Sequence, residues 1–176
     1  VAVIKFHDVD QTEAPTKGGT NLTVYGTHLW KGPGVYRCRF TARGTTVESL
    51  ARMETLGGQT VLRCTVPPWP SYEAVTELTL SHDDTAPLPK NTRGGITADG
   101  VLYVVEDAGV PHRVLLFQGW DGIAEESPVI GSAEGGRVLT VTGFGFNAGR
   151  HYECVFSSGG EQARTGATVR ALSKLS

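Results

Sequence analysis

Gly18-Gly19-Thr20-Asn21-Leu22-Thr23-Val24-Tyr25-Gly26 returns 117 residues later as Gly135-Gly136-Arg137-Val138-Leu139-Thr140-Val141-Thr142-Gly143. Tyr36-Arg37-Cys38-Arg39-Phe40 returns 116 residues later as Tyr152-Glu153-Cys154-Val155-Phe156. Two separated blocks at nearly one offset mark an internal repeat. Within the blocks apolar residues alternate: Leu22 with Val24, then Tyr36 with Cys38 and Phe40, while Arg37 and Arg39 take the opposite face. Side chains at i, i+2 and i+4 share one face of a strand, so each run offers an apolar side to a core and a polar side to water.

The same alternation continues outward from the repeat. Leu62, Cys64 and Val66 form one further run, Leu78 and Leu80 another, Leu102 and Val104 a third. Glycine pairs at 18–19, 57–58, 94–95, 135–136 and 159–160, with Lys31-Gly32-Pro33-Gly34, punctuate these runs as turns. Short alternating strands at this spacing read as a sandwich or barrel. Composition agrees: 23 glycines in 176 residues are roughly twice the usual ~7%, beside 9 prolines and one Met. The stretch Val47 to Leu56 reads as a loop or a poor strand. The fold class expected is all-β.

Charge and length exclude several roles. Sixteen Lys and Arg stand against 18 Asp and Glu, so the whole-chain basic footprint of a nucleic-acid binder is absent. No apolar run approaches the ~20 residues of a membrane span. The N-terminus has no signal-peptide pattern and begins with Val1, as expected of a piece of a longer or processed protein.

The repeat also bears on the odd cysteine count. Cys38 and Cys64 are expected to face inward from their strands, and a bridge between them is the economical reading. Cys154 is then a half-cystine whose counterpart falls near position 180, past Ser176. Two buried reduced cysteines in a cytosolic β domain are the alternative. No CxxC pair or zinc-ligand spacing occurs. Asn21-Leu22-Thr23 is an N-x-Thr acceptor, and an inward Leu22 turns Asn21 outward, so Asn21 is a candidate glycosylation site.

These residues carry a family resemblance. Gly-Gly-Thr-x-Leu-Thr-Val-x-Gly from Gly18, Tyr-x-Cys-x-Phe from Tyr36, and Val61-Leu62-Arg63-Cys64-Thr65-Val66-Pro67 together resemble the IPT/TIG family of immunoglobulin-like domains. Ser127-Pro128-Val129-Ile130-Gly131 with the run Val138 to Phe146 resembles the start of a second such domain. The likeness covers about residues 10–107 and 128–176. It implies tandem immunoglobulin-like antiparallel β-sandwiches, the second copy incomplete. The expected organisation is a first domain over 1–107 with an N-terminal linker strand, a connector over 108–127, and the beginning of a second domain over 128–176. The family occurs in cell-surface receptors, large extracellular proteins, secreted starch-acting enzymes and transcription factors.

Catalytic chemistry finds little to stand on. His82-Asp83-Asp84 leaves a strand for a loop, where solvated charges are ordinary, and Asp8 and Asp10 supply too few oxygens for calcium. No Gly-x-Ser-x-Gly elbow occurs, and Gly143-Phe144-Gly145-Phe146 lacks the Lys of a phosphate loop. Trp69 within Pro67-Pro68-Trp69-Pro70, Trp30 and Tyr72 are the candidate interface residues, with a core-capping role as the alternative for the tryptophans. Trp120 also lies beside a turn.

The expected function is therefore a non-enzymatic structural or adhesive segment of a larger extracellular or cell-surface protein, without cofactor or metal. Its partners would be other protein chains, neighbouring immunoglobulin-like domains or glycans, with no nucleic acid and no membrane insertion in this segment. A carbohydrate-binding accessory module of a secreted enzyme is the alternative, and an intracellular DNA-binding regulator the third reading.

Overall fold

The structure, a computed structural model, describes residues 2–27, 29, 35–82, 94–96, 102–107, 112–127 and 130–175. All regular elements among them are strands, and they form two compact units. The first comprises Val1–Ala14, Gly18–Pro68 and Ala74–Leu116; the second comprises Pro15–Lys17, Trp69–Glu73 and Phe117–Ser176.

In chain order the first ten strands are β1 (Ala2–Val9), β2 (Glu13–Pro15), β3 (Asn21–Thr27), β4 (Tyr36–Ala42), β5 (Thr45–Leu56), β6 (Gln59–Thr65), β7 (Ala74–His82), β8 (Gly94–Ile96), β9 (Leu102–Asp107) and β10 (His112–Phe117). They join in one sheet with the order β2-β10-β7-β4-β5-β6-β3-β1-β9-β8. The alternation read from the sequence is the inward face: Leu22, Val24, Phe40, Leu62, Leu78 and Val114 are all buried. Arg37 and Arg39 fall on the other side of β4, as expected.

The sheet closes on itself at β5. Residues Thr45–Ala51 pair with β4, and Ala51–Leu56 pair with β6, so one 12-residue strand belongs to both halves. In a flat sheet β4 and β6 would lie two strand spacings apart, roughly 9.5 Å. Cys38 on β4 and Cys64 on β6 instead have Cα atoms 6.1 Å apart and form a disulfide. The two halves therefore fold over a common core, with the disulfide inside the fold.

Three features differ from the sequence expectation. The stretch 47–56 is neither loop nor poor strand: it lies in β5. Its apolar content is low because none of its residues is fully buried, and two hairpins hold it in place. Arg43-Gly44 and Gly57-Gly58 have positive φ at both central residues, the two-residue turn whose twist suits paired strands. The pairing is not wholly antiparallel, since β9 runs parallel to β1 from Ala2↔Tyr103 to Phe6↔Asp107, taking the edge that β3 leaves open. The expected connector over 108–127 does not run free either. Val114 and Leu116 are fully buried and β10 pairs with β7, so His112–Leu116 belongs to the first unit. Residues 108–111 lie outside the described residues.

The second unit contains β11 (Gly119–Ile123), β12 (Val141–Phe144), β13 (Tyr152–Ser158), β14 (Glu161–Ala167), β15 (Val169–Ala171) and β16 (Lys174–Leu175). It repeats the first unit's geometry as well as its sequence. β1 meets β3 through Lys5↔Thr27, Phe6↔Gly26, Asp8↔Tyr25 and Val9↔Val24, with a bulge between Phe6 and Asp8. β11 meets β12 through Gly119↔Phe144, Trp120↔Gly143, Gly122↔Thr142 and Ile123↔Val141, with the bulge in the same place. Gly18 and Gly19 have φ of 78° and 88°, and Gly135 and Gly136 have 77° and 85°. The β13–β14 hairpin turns on Gly159-Gly160 as β4–β5 turns on Arg43-Gly44. By this register the second copy begins at β11, ahead of residue 128.

Two predictions follow from this packing. The bridge closes a loop of about 25 residues, which the chain-entropy relation values at roughly 3–4 kcal/mol. Replacing Cys38 and Cys64 by Ser together is expected to lower the first unit's urea-unfolding free energy by about that amount. An unchanged midpoint would show that the bridge adds nothing. Gly18 is constrained twice: φ is +78°, and an added Cβ would lie 2.6 Å from the Pro68 nitrogen. Gly135 shares the φ but has open space around it. Gly18→Ala should therefore cost clearly more than Gly135→Ala, which carries only the left-handed penalty of about 1–2 kcal/mol. Equal losses in denaturant titration would contradict this.

Candidate functional site

Asn21 begins β3 and is exposed, as its alternation with Leu22 requires. Its Oδ1 accepts a hydrogen bond of 2.7 Å from the Thr65 hydroxyl on the neighbouring strand. That contact leaves Nδ2, the atom a glycan would occupy, uncommitted to Thr65. Two residues on, Thr23 is 1% exposed although it points away from the core. It is covered by polar partners brought from elsewhere in the chain. Asp10 accepts bonds from the Thr23 amide at 2.7 Å and from its hydroxyl at 2.6 Å. The Arg63 guanidinium donates to the same hydroxyl oxygen at 2.6 Å and pairs with Glu54 at 3.2 Å. The outer surface beside Asn21 is thus a closed polar network, with Thr23 at its centre.

The other sequence candidates separate when placed. Trp69 is 6% exposed and its amide donates to the Thr16 carbonyl at 2.8 Å. Tyr72 is partly exposed in the second unit. Trp30 lies outside the described residues, as do Asp83 and Asp84; His82 is buried against the Tyr36 ring at the end of β7. Asp8 accepts the amide of Val9 at 2.8 Å, and Asp10 commits both oxygens to Thr23. Among the described residues no three His, Cys, Asp or Glu side chains gather to hold a metal ion. Several outward arginines face acids rather than open water: Arg39 bonds Glu48 at 2.8 Å, and Arg63 bonds Glu54.

The second unit has a feature the sequence reading missed. Leu139, Val141, Phe146, Tyr152, Cys154 and Phe156 contribute to an open apolar groove of about 570 Å³. Trp120, at the groove's rim, is 70% exposed. Cys154 is a free, partly exposed thiol. The repeat already held the signal, since these positions match buried residues of the first copy. The Thr23 network had no comparable signal, because its partners come from 13 and 40 residues away.

Asp10→Ala would leave the buried Thr23 amide and hydroxyl without their acceptor. The expected loss is about 1–3 kcal/mol in the first unit, seen as a lower denaturation midpoint. Wild-type stability in that variant would show that water replaces the carboxylate at no cost.

Residues 5–98 match the profile of the IPT/TIG domain. A search of curated proteins finds no match. Among solved structures the chain is similar to the plexin A4 full extracellular region, domains 1 to 8, at 13% identity and a TM-score of 0.37. That similarity covers 98% of this chain and 23% of the plexin chain. The profile match takes in more than half of the chain and includes both bridged cysteines and the Thr23 network, and by it this chain belongs to the IPT/TIG family of immunoglobulin-like domains.

Proposed function

We propose that this chain is a non-enzymatic, load-carrying segment of a larger extracellular or cell-surface protein, in which immunoglobulin-like units act as rigid spacers and contact neighbouring proteins. The observation that carries the reading is the Cys38–Cys64 bridge, placed inside the core where β4 and β6 fold over β5. Disulfides form and persist in oxidising compartments, and a cross-link buried in a small β unit resists opening. The repeated bulged register supports serial use of one building block. The outward polar side chains of β4, β5 and β6 carry both charge signs in paired form, which suits a solvated spacer face. No helix among the described residues is long and apolar enough to cross a membrane. A glycan on Asn21 would shield the β3–β6 outer surface and direct protein contacts to other faces.

Peptide mapping of unreduced protein from its native source tests this. The expected result is a Cys38–Cys64 linked peptide pair together with a glycan on Asn21. Free thiols at both cysteines with a bare Asn21 would overturn the extracellular reading and favour an intracellular use of the fold.

A further inference from the structure

The acceptor triplet Asn21-Leu22-Thr23 is open at one end and closed at the other. Asn21 is exposed, and its bond from the Thr65 hydroxyl goes to Oδ1 and does not use Nδ2. Thr23 is almost wholly buried. Its hydroxyl donates to Asp10 Oδ2 at 2.6 Å and accepts from the Arg63 guanidinium at 2.6 Å. Its amide donates to Asp10 Oδ1 at 2.7 Å, and its carbonyl accepts from the Asp10 amide at 3.0 Å. The strand itself is held on both sides, by β1 and by β6.

A glycosylating enzyme reads such a triplet through two groups. One is the Asn amide that becomes linked; the other is the Thr hydroxyl two residues on, without which the pattern is no acceptor. In the folded unit the first group can carry a sugar, but the second cannot be read. Freeing Thr23 would strip a buried hydroxyl and amide of their partners and draw a central strand away from its neighbours. Such an opening is costly, so the open form is a small fraction of the population.

Chain order sets when the triplet closes. Asp10 precedes Thr23 by 13 residues, but Arg63 follows it by 40 and lies on β6, the strand that flanks that side of β3. At a synthesis rate of about 5–20 residues per second, Arg63 emerges roughly 2–8 s after Thr23.

We infer that Asn21 accepts a glycan only before β6 docks, and that closure of the Thr23 network ends the site's competence as an acceptor. The donor is a lipid-diphosphate-linked oligosaccharide. Asn21 Nδ2 attacks its anomeric carbon, and the C–N bond forms as the C–O bond to the diphosphate breaks. The lipid diphosphate leaves, and Nδ2 gives one proton to the enzyme's base. The inference rests on the extracellular reading for its setting, while the masking of Thr23 can fail separately from it.

The test offers the whole chain, made without glycans, to a solubilised oligosaccharyltransferase and a lipid-linked donor. One sample is folded with its bridge intact; the other is reduced and carboxymethylated, so that its charged cysteines cannot re-enter the core. The tryptic peptide Gly18 to Lys31 reports Asn21 by mass. The carboxymethylated chain is expected to react at least about a hundredfold faster, since the folded chain reacts only through its open fraction. Asp10→Ala with its bridge intact should raise the folded chain's rate about tenfold, because the buried amide and hydroxyl lose their acceptor. Val114→Ala loosens the core under β10 and leaves Asp10 and Arg63 in place, so its rate should stay near wild type. Equal rates for the folded and carboxymethylated chains would overturn the inference, as would no modification of either. Equal rises in the two variants would overturn it too, since any loosening of the core would then suffice. A bare Asn21 in native material, with the contrast in rates intact, would remove the extracellular setting and leave the mask standing. A glycan in native material with equal rates would do the reverse.

Discussion

The fold of the first unit depends on one constraint: β5 must pair with β4 along one half and with β6 along the other. The split pairing lets the two halves of β5 follow different neighbours, whose apolar side chains face one interior. The sheet bends at β5, bringing Cys38 and Cys64 from two strand spacings to 6.1 Å between Cα atoms. The disulfide holds a bend that the hydrophobic faces already favour. Removing side chains from the core and removing the bridge therefore act on one feature, and their costs should couple rather than add.

Backbone constraints make this bend reproducible. Both hairpins around β5 use two consecutive left-handed residues, and Arg43 occupies one of those positions at a φ of 49°, an uncommon state for a residue with a Cβ. The second unit uses Gly159-Gly160 at the equivalent turn, which has no such strain. The bulge shared by β1 and β11 works in the same way. It offsets pairing by one residue at a fixed place, so the residues before and after it meet the partner strand correctly in both copies. Register is preserved by turns and bulges even where side chains have diverged, Trp120 standing opposite Gly143 where Phe6 stands opposite Gly26.

Alternation and turn chemistry made most of the first unit legible from the residues. Leu22, Val24, Cys38, Phe40, Leu62 and Leu78 reached the core as their spacing required. What escaped the reading had physical reasons. β5 is a strand through pairing rather than burial, so its sequence has little periodic apolar signal. β10 looked like a connector because its partner, β7, lies more than thirty residues earlier. The polar cluster at Thr23 was illegible because three distant side chains create it.

The comparison of the two copies separates what a sequence segment contributes from what its neighbours contribute. Phe40 and Phe156 follow equivalent cysteines on equivalent strands, in hairpins with the same pairing. One is fully buried and the other half exposed, so burial here belongs to the pair of facing layers and not to the strand. An apolar face of this size in water is unfavourable at about 25 cal/mol per Å² left uncovered, which makes any strand that fills it a stabilising element. The free thiol of Cys154 lies within that face.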